Sequence, residues 1–375
     1  MTITGAGQRH AEKSSQRQLM RSATTLLYEE DKEVKKKDYY LETFNYIKTI
    51  MMLLIILYHS MALWLPDGWF NQPPQHKNLI ISIIAQWLNL LHVYVFTFVS
   101  GYIYKVLRFE KGKYTTFLNF LINKIRRLLY PYLGVSLFWC IPFYMYFFKP
   151  SKKDIVIKFL LGYSPSQLWY LLMLFFLFLS IYGTGKLFCN IKLKYLYFIC
   201  FSIYGIYIVL SAFISLPFQI LTAIKYIPFF ILGMNYEKII NAHKWNTICL
   251  LVFNIILFVI WSICRSELIY IKIIKSSIAY FVSVTGILFS IKFIFSIKNM
   301  PFFESSLYHF LERNNFKLYL FHQQIIWIII DLLNSKASPW MIVAVNFIIS
   351  ISLLSIVIML IEYMKKKRII DSTQV

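Results

Sequence analysis

Long apolar segments recur along this chain and leave few folds open to it. An α-helix needs about 20 predominantly apolar residues to cross the hydrocarbon core of a bilayer. Segments of that kind run from residue 44 almost to the end of the sequence. Because 58% of the residues are hydrophobic, 15% are charged and the mean hydropathy is +0.60, the composition excludes an ordinary soluble globular protein. The sequence therefore predicts an all-α, polytopic integral membrane protein.

The apolar pattern predicts ten transmembrane helices. Glycine and proline lie near several of their ends, as expected for residues that interrupt helices. Lys225 falls inside the sixth segment, where a cation is costly. The ten predicted spans are residues 44–64, 79–104, 128–148, 166–184, 195–213, 219–236, 246–264, 273–295, 316–334 and 339–363.

The formal net charge of +22 is concentrated between the predicted spans. Every major basic cluster follows an even number of spans, which is the positive-inside pattern and predicts that both termini are cytoplasmic. Residues 149–158 and 265–275 are basic although they fall on the predicted outer side; a solvated interfacial stretch is the favoured explanation, and contact with an anionic lipid-linked substrate is the alternative. Topology accounts for most of the charge, so no nucleic-acid partner is predicted. The basic clusters are residues 32–37, 105–127, 186–194, 238–244, 292–317 and 365–368.

The first predicted span contains a histidine within KTIMMLLIILYHSMALW, residues 48–64. Lys48 and His59 are eleven residues apart, which on an α-helix brings them to within roughly 20° of one face and about 16 Å apart along the axis. An ionisable group inside a membrane is a candidate functional residue. Snorkelling of Lys48 and a structural hydrogen bond of His59 are the simpler explanations of each residue alone. The pair on one face favours a functional groove.

This helix resembles the first helix of the membrane acyltransferase family 3, whose members O-acylate glycans and lipids. The hallmark of that family is an arginine, ten intervening residues and a histidine. Here FNYIKTIMMLLIILYHS has Lys48 in place of the arginine, followed by ten residues and His59. Lysine keeps the positive charge, but it cannot form the two parallel hydrogen bonds that an arginine guanidinium makes with a phosphate.

Further segments resemble the same family in the family's order. His92, Ser100 and Gly101 match its second helix, and Lys124 and Arg127 match two spaced basic residues of the cytoplasmic loop before its third span. Gly101 also suits close packing of two helices. The matching segments are LHVYVFTFVSGYIYK (91–105), FLINKIRRLLYPYL (120–133), QLWYLLMLFF (167–176), KYIPFFILG (225–233) and KLYLFHQQII (317–326).

The resemblance implies acyl transfer and suggests a role for each matching polar residue. Lys48, Lys124 and Arg127 are expected to bind the phosphates of acetyl-CoA, the acyl donor and co-substrate. His59 is the expected catalytic residue, either as a general base toward a sugar hydroxyl or as a transient acyl carrier. The expected substrate-binding residues are Trp169, His322 and His92. A structural hydrogen bond explains His322 equally well, His92 is a weaker candidate that could only bind a neighbouring helix, and for Trp169 a place in the interfacial aromatic belt is the favoured explanation.

The sequence therefore predicts a membrane O-acyltransferase that moves acetyl to a hydroxyl of a surface polysaccharide, such as O-antigen, capsule or exopolysaccharide, or of its lipid-linked precursor. A lipid-linked glycan transporter or export component is the alternative, because such proteins also carry many spans and membrane cations. A membrane polysaccharide polymerase is a third class, but it is expected to have a larger outer loop.

The predicted organisation is a central membrane domain between two tails. Residues 1–40 are polar, lack the apolar core of a signal peptide and predict a disordered cytoplasmic tail. Residues 41–364 form the acyltransferase domain and residues 365–375 a basic cytoplasmic tail. The five cysteines have no ligand-like spacing, so no metal is predicted. The predicted location is the cell inner membrane, and the oligomeric state stays open.

Overall fold

A computed structural model of the protein describes residues 40–163, 166–264 and 268–373. The chain divides into two units, residues 1–46 and 47–375. In the first unit the described residues, 40–46, are helical, and the Tyr46 hydroxyl donates a 2.8 Å hydrogen bond to a Glu42 carboxylate oxygen. The predicted tail over residues 1–40 thus lies, except for its last residue, outside the described residues.

All regular secondary structure in the described residues is helical, which confirms the all-α prediction. Short π-helical turns interrupt or extend some helices, and a 3₁₀ turn covers Pro301–Glu304. The last helix continues beyond residue 364, the predicted end of the membrane domain. The helices are α1 (Tyr40–Trp64), α2 (Leu79–Asn89), α3 (His92–Lys105), α4 (Phe117–Phe148), α5 (Lys152–Ile155), α6 (Trp169–Asn190), α7 (Leu193–Phe213), α8 (Ile220–Met234), α9 (Tyr236–Ala242), α10 (Thr247–Ile263), α11 (Ile269–Ile297), α12 (Ser306–Leu333) and α13 (Pro339–Thr373).

Eight helical segments in the described part of the chain are long and apolar enough to cross a membrane, with α2 and α3 counted together as the segment Leu79–Glu110. Helices α9 and α10 form a ninth candidate that bends by 106°. The shorter apolar helix α8 coincides with the sixth predicted span. The second predicted span falls on α2 and α3 together, and each of the other nine falls on one helix. The protein is therefore a polytopic helical membrane protein, as predicted, and the cytoplasmic placement of its termini stays a prediction.

Helix α4 begins earlier than the sequence predicted. The third span was expected at residues 128–148, with Lys124 and Arg127 in the loop before it, but α4 begins at Phe117 and contains both cations. The segment FLNFLINK continues the apolar helical spacing, and lysine and arginine are good helix formers, so charge does not end the helix. A π-helical turn over Ile125–Leu129 follows, and α6 packs against it.

Helices α3 and α8 approach each other closely at two glycines. A Cβ on Gly101 would collide with the backbone carbonyl of Phe230, and a Cβ on Gly233 would collide with that of Phe98. Gly101 thus packs against the backbone of Phe230, three residues before Gly233. In the same way, Gly233 packs against the backbone of Phe98, three residues before Gly101. This reciprocal contact confirms the close-packing role predicted for Gly101, and it holds α3, which carries His92 and Ser100, against α8.

Lys225 is accommodated on α8 by aromatic rings. Its ammonium nitrogen lies 5.6 Å from the ring centroids of Tyr94 and Tyr226 and 5.7 Å from that of Tyr207. The negative faces of these rings attract the cation, which explains how a lysine is tolerated within an apolar helix.

Candidate active site

One cavity of about 720 Å³ brings most of the predicted site residues together. It lies within the unit of residues 47–375 and is lined by α1, the end of α2, α3, α4, α6 and α12 together with the loops between them. Six of the seven predicted site residues line it, and the seventh, His322, hydrogen-bonds one of the six. The six are Lys48, His59, His92, Lys124, Arg127 and Trp169.

The cations and the histidines occupy different ends of this cavity. Lys48 and His59 lie on one helix and both line the cavity, so their separation along the axis is about 16 Å. On α3, His92 lies near the histidine end, whereas Tyr104 lies twelve residues further on and contacts Phe178 beside Lys124. The cavity therefore joins a cationic end to a histidine end.

Three cations form the cationic end, and two neighbouring cations do not contribute to it. Lys105 is held by Glu237 at 2.9 Å and Glu110 at 3.2 Å, so its charge is already compensated. Arg108 stacks on the ring of Tyr182, with its guanidinium carbon 3.7 Å from the ring centroid. The cations that line the cavity are Lys48, Lys124 and Arg127.

Lys124 is buried with its ammonium among aromatic rings. The nitrogen lies 3.3 Å from the ring centroid of Phe178 and 5.3 and 5.4 Å from those of Tyr114 and Phe120. Within the described residues no carboxylate forms an ion pair with it. Cation–π attraction replaces only part of the lost hydration. An anion entering the cavity would supply the missing countercharge.

His59 is hydrogen-bonded to His322, and the partners of the two rings define their tautomers. Nδ1 of His322 lies 2.9 Å from the Tyr319 carbonyl oxygen, which can only accept, so this nitrogen carries the proton. In a neutral ring Nε2 of His322 is then an acceptor, and Nδ1 of His59, 2.9 Å away, must donate to it. This assignment follows from the hydrogen-bond network. It leaves Nε2 of His59 with a free lone pair on a ring that lines the cavity.

His92 lies near this pair without a hydrogen bond to it in the described structure. Its Nδ1 is 2.5 Å from the Leu88 carbonyl oxygen, and its ring packs on Tyr58 with centroids 4.7 Å apart. Among the described residues, no group of three or more histidine, cysteine and acidic side chains is placed to hold a metal ion.

A glutamine network that the sequence did not predict fixes the segment before α6. Gln323 accepts a 2.7 Å hydrogen bond from the backbone N–H of Gln167, and the Gln167 amide donates to the Leu320 carbonyl at 2.6 Å. It also donates to Gln324 at 3.2 Å. The network ties α12 to the start of α6. The sequence did contain a sign of this network, because Gln323 and Gln324 are polar residues that directly follow His322 inside a predicted span.

Two tryptophans line the cavity in different surroundings. Trp169, the predicted substrate contact, has its ring centroid 6.0 Å from that of Tyr226. Trp69 lies in the loop between α1 and α2, and its centroid is 5.6 Å from that of His59. The sequence did not single out Trp69, because a loop has no periodicity that indicates which way a side chain points.

The fold and the cavity define a class: a polytopic helical membrane protein with a histidine and three cations around one internal site. A family model described as an acyltransferase domain, acyltransferase family 3, matches residues 41–362. The chain therefore belongs to this family and is a membrane acyltransferase. Neither the curated proteins nor the solved structures contain a match to the chain.

Proposed function

We propose that the protein transfers acetyl from acetyl-CoA to a hydroxyl of a surface polysaccharide or of its lipid-linked precursor. Because the chain belongs to the family, the protein is a membrane acyltransferase. The observation that carries the finer proposal is the cavity that joins Lys48, Lys124 and Arg127 to His59. A phosphate-bearing donor suits the cationic end, and a neutral alcohol suits the histidine end.

The donor would bind with its phosphates at the cationic end. Lysine and arginine form charge-assisted hydrogen bonds with phosphate oxygens, and Arg127 offers a bidentate fork. The positive charge of Lys124 is only partly compensated by the aromatic rings around it, so a bound phosphate would stabilise this residue most. The distance of about 16 Å from Lys48 to His59 along α1 leaves room for an extended arm that carries the thioester to the histidine.

His59 would act as the general base. Its Nε2 takes the proton from the attacking hydroxyl, whose oxygen forms a bond to the thioester carbonyl carbon. The carbon–sulfur bond then breaks, and the thiolate of CoA leaves with that proton as the free thiol. The products are the acetyl ester and CoA. His322 would keep the reactive nitrogen of His59 unprotonated and aimed at the cavity, acting as a positioning residue.

The orientation follows from charge. Basic clusters after even-numbered spans support an orientation with the termini and the cationic end on the cytoplasmic side, where acetyl-CoA is available. We therefore propose a location in the inner membrane.

The test compares ester-linked acetate on the surface glycan of cells that carry wild type, His59→Ala or His243→Ala. His243 is the matched control, because it stacks on Trp245 with centroids 4.5 Å apart and does not line the site cavity. We expect acetate with wild type and His243→Ala and none with His59→Ala. Equal acetate in all three would reject His59 as the base. If purified wild type neither bound nor consumed acetyl-CoA, the acetyl-CoA proposal would be wrong.

A further inference from the structure

We infer that Trp69 and Asn89 form the acceptor subsite, in which the Trp69 indole stacks on a sugar ring and presents its hydroxyl to His59. This inference rests on the proposed function and names the part of the site that selects the acceptor. It concerns the histidine end of the cavity, away from the cations.

Trp69 is the aromatic side chain best placed for this role. Its ring is half-buried, lines the cavity and lies beside His59 with centroids 5.6 Å apart. Its other neighbour is Trp327, which is almost fully buried, at 6.1 Å. A half-buried indole that lines a cavity and meets Trp327 edge-on, at an interplanar angle of 61°, offers a sugar ring a rigid apolar surface at little cost in conformational entropy.

The loop that carries Trp69 is held in place at several points. The Trp64 indole N–H donates to the His76 carbonyl at 2.8 Å, and the Asn71 amide donates to the Phe147 carbonyl at 2.7 Å. The side chain of Asn334, just after α12, accepts from the Gln75 N–H at 3.1 Å and donates to the Pro73 carbonyl at 2.9 Å. These bonds connect the loop to α1, α4 and the end of α12. Trp69 therefore has a defined position relative to His59.

Asn89 supplies a polar group at the same end. It is the last residue of α2, three residues before His92, and its exposed side chain lines the cavity. Within the described residues its carboxamide has no hydrogen-bond partner, so both its donor and its acceptor are available to hydroxyl groups. An apolar platform with a few polar groups is the usual composition of a small-molecule site. A pyranose, with an apolar face and equatorial hydroxyls, matches this pair.

Trp169 is less suited to the acceptor, although the sequence predicted a substrate contact there. Its ring contacts are Tyr170 and Tyr226, and no ring contact joins it to His59 in the described structure. Substitutions of Trp69 and Trp169 are therefore expected to have different effects on acceptor binding.

The experiment uses the full-length protein in proteoliposomes, with acetyl-CoA and base-treated, de-O-acetylated surface glycan from the cells that carry this chain. Initial rates are measured over a range of glycan concentrations for wild type, Trp69→Ala, Trp69→Phe, Asn89→Ala and Trp169→Ala. Trp340→Ala is the control, because Trp340 is 47% exposed and does not line the cavity. Acetyl-CoA binding is measured separately on each variant.

We expect Trp69→Ala to lower kcat/KM for the glycan about tenfold or more, through KM, with Trp69→Phe recovering most of the loss. Asn89→Ala should raise KM for the glycan severalfold, while Trp169→Ala raises it less than Trp69→Ala. The affinity for acetyl-CoA should stay at the wild-type value in Trp69→Ala and Asn89→Ala.

Wild-type kinetics for the glycan in Trp69→Ala would overturn the inference, as would an equal loss of acetyl-CoA binding, since the residue would then shape the donor site or the fold. The proposed function fails in a different way. In that case wild type itself would bind no acetyl-CoA or would acetylate no glycan, and the acceptor subsite would be rejected with it.

Discussion

Nε2 of His322 lies 2.9 Å from Nδ1 of His59, and this hydrogen bond connects α12 to α1 at the histidine end of the cavity. Both rings are buried. Because the other nitrogen of His322 is committed to backbone carbonyls, the pair has one consistent arrangement of protons. A hydrogen bond between residues 263 positions apart thereby helps to orient the His59 ring, which also hydrogen-bonds the Ile55 backbone.

His322→Ala should lower kcat about 100-fold and leave the KM for acetyl-CoA near the wild-type value, because His59 loses the side-chain acceptor that orients it and keeps only its backbone contact with Ile55. His322→Asn, whose amide oxygen can accept from Nδ1 of His59, should recover part of the loss. The measurement is steady-state kinetics on purified full-length protein. A raised KM at unchanged kcat would instead favour the direct substrate contact that the sequence predicted for His322.

The rate should fall as the solution becomes more acidic. Protonated His59 cannot accept the hydroxyl proton, and two protonated rings would place two donors against each other across the 2.9 Å contact. The check is kcat/KM for acetyl-CoA from about pH 8 down to the lowest pH at which the purified protein stays folded. We expect kcat/KM to fall in a single step at acidic pH and to stay constant at higher pH. A rate that is independent of pH, or one that rises on acidification, would contradict a histidine base.

Much of this site was predictable because ionisable residues are rare in apolar helices. Lys48 and His59 were found by helical spacing within one span, and the structure places both in the cavity. His322 was found as a polar residue in a later span. Its bond to His59 was not predictable from the sequence, because the folding of α12 against the rest of the membrane domain sets that contact.

The features that the sequence missed depend on tertiary structure. Trp69 belongs to a loop whose path is set by hydrogen bonds to Phe147 and Asn334, and no local pattern encodes these partners. The start of α4 was misplaced because the charges of Lys124 and Arg127 resembled a loop. Lys124 is instead enclosed by rings from α4, α6 and the preceding segment.

Gly101→Ala and Gly233→Ala should each destabilise the protein, because a methyl group at either site would meet backbone rather than a movable side chain. Overpacking of this kind costs about 1–3 kcal/mol, or more where backbone must shift. Gly134→Ala and Gly205→Ala are the controls, since nothing lies within 4 Å of a Cβ at either position. The measurement is the thermal midpoint of the purified protein in detergent. Equal midpoints for all four variants would show that α3 and α8 separate at no cost.

Substitutions at Lys48 test the donor end of the cavity. Lys48→Arg restores the arginine typical of the family, and its fork can bind phosphate through two bonds, so affinity for acetyl-CoA should stay equal or rise. Lys48→Ala removes a charge-assisted contact and should weaken acetyl-CoA binding about tenfold. Lys317→Ala is the control, because Lys317 pairs with Glu362 at 3.1 Å and does not line the cavity. Binding is measured by titration calorimetry, and kcat at saturating donor is measured in parallel. If Lys48→Ala bound acetyl-CoA as tightly as wild type, Lys48 would be a membrane-surface cation, and Lys124 and Arg127 alone would have to hold the donor.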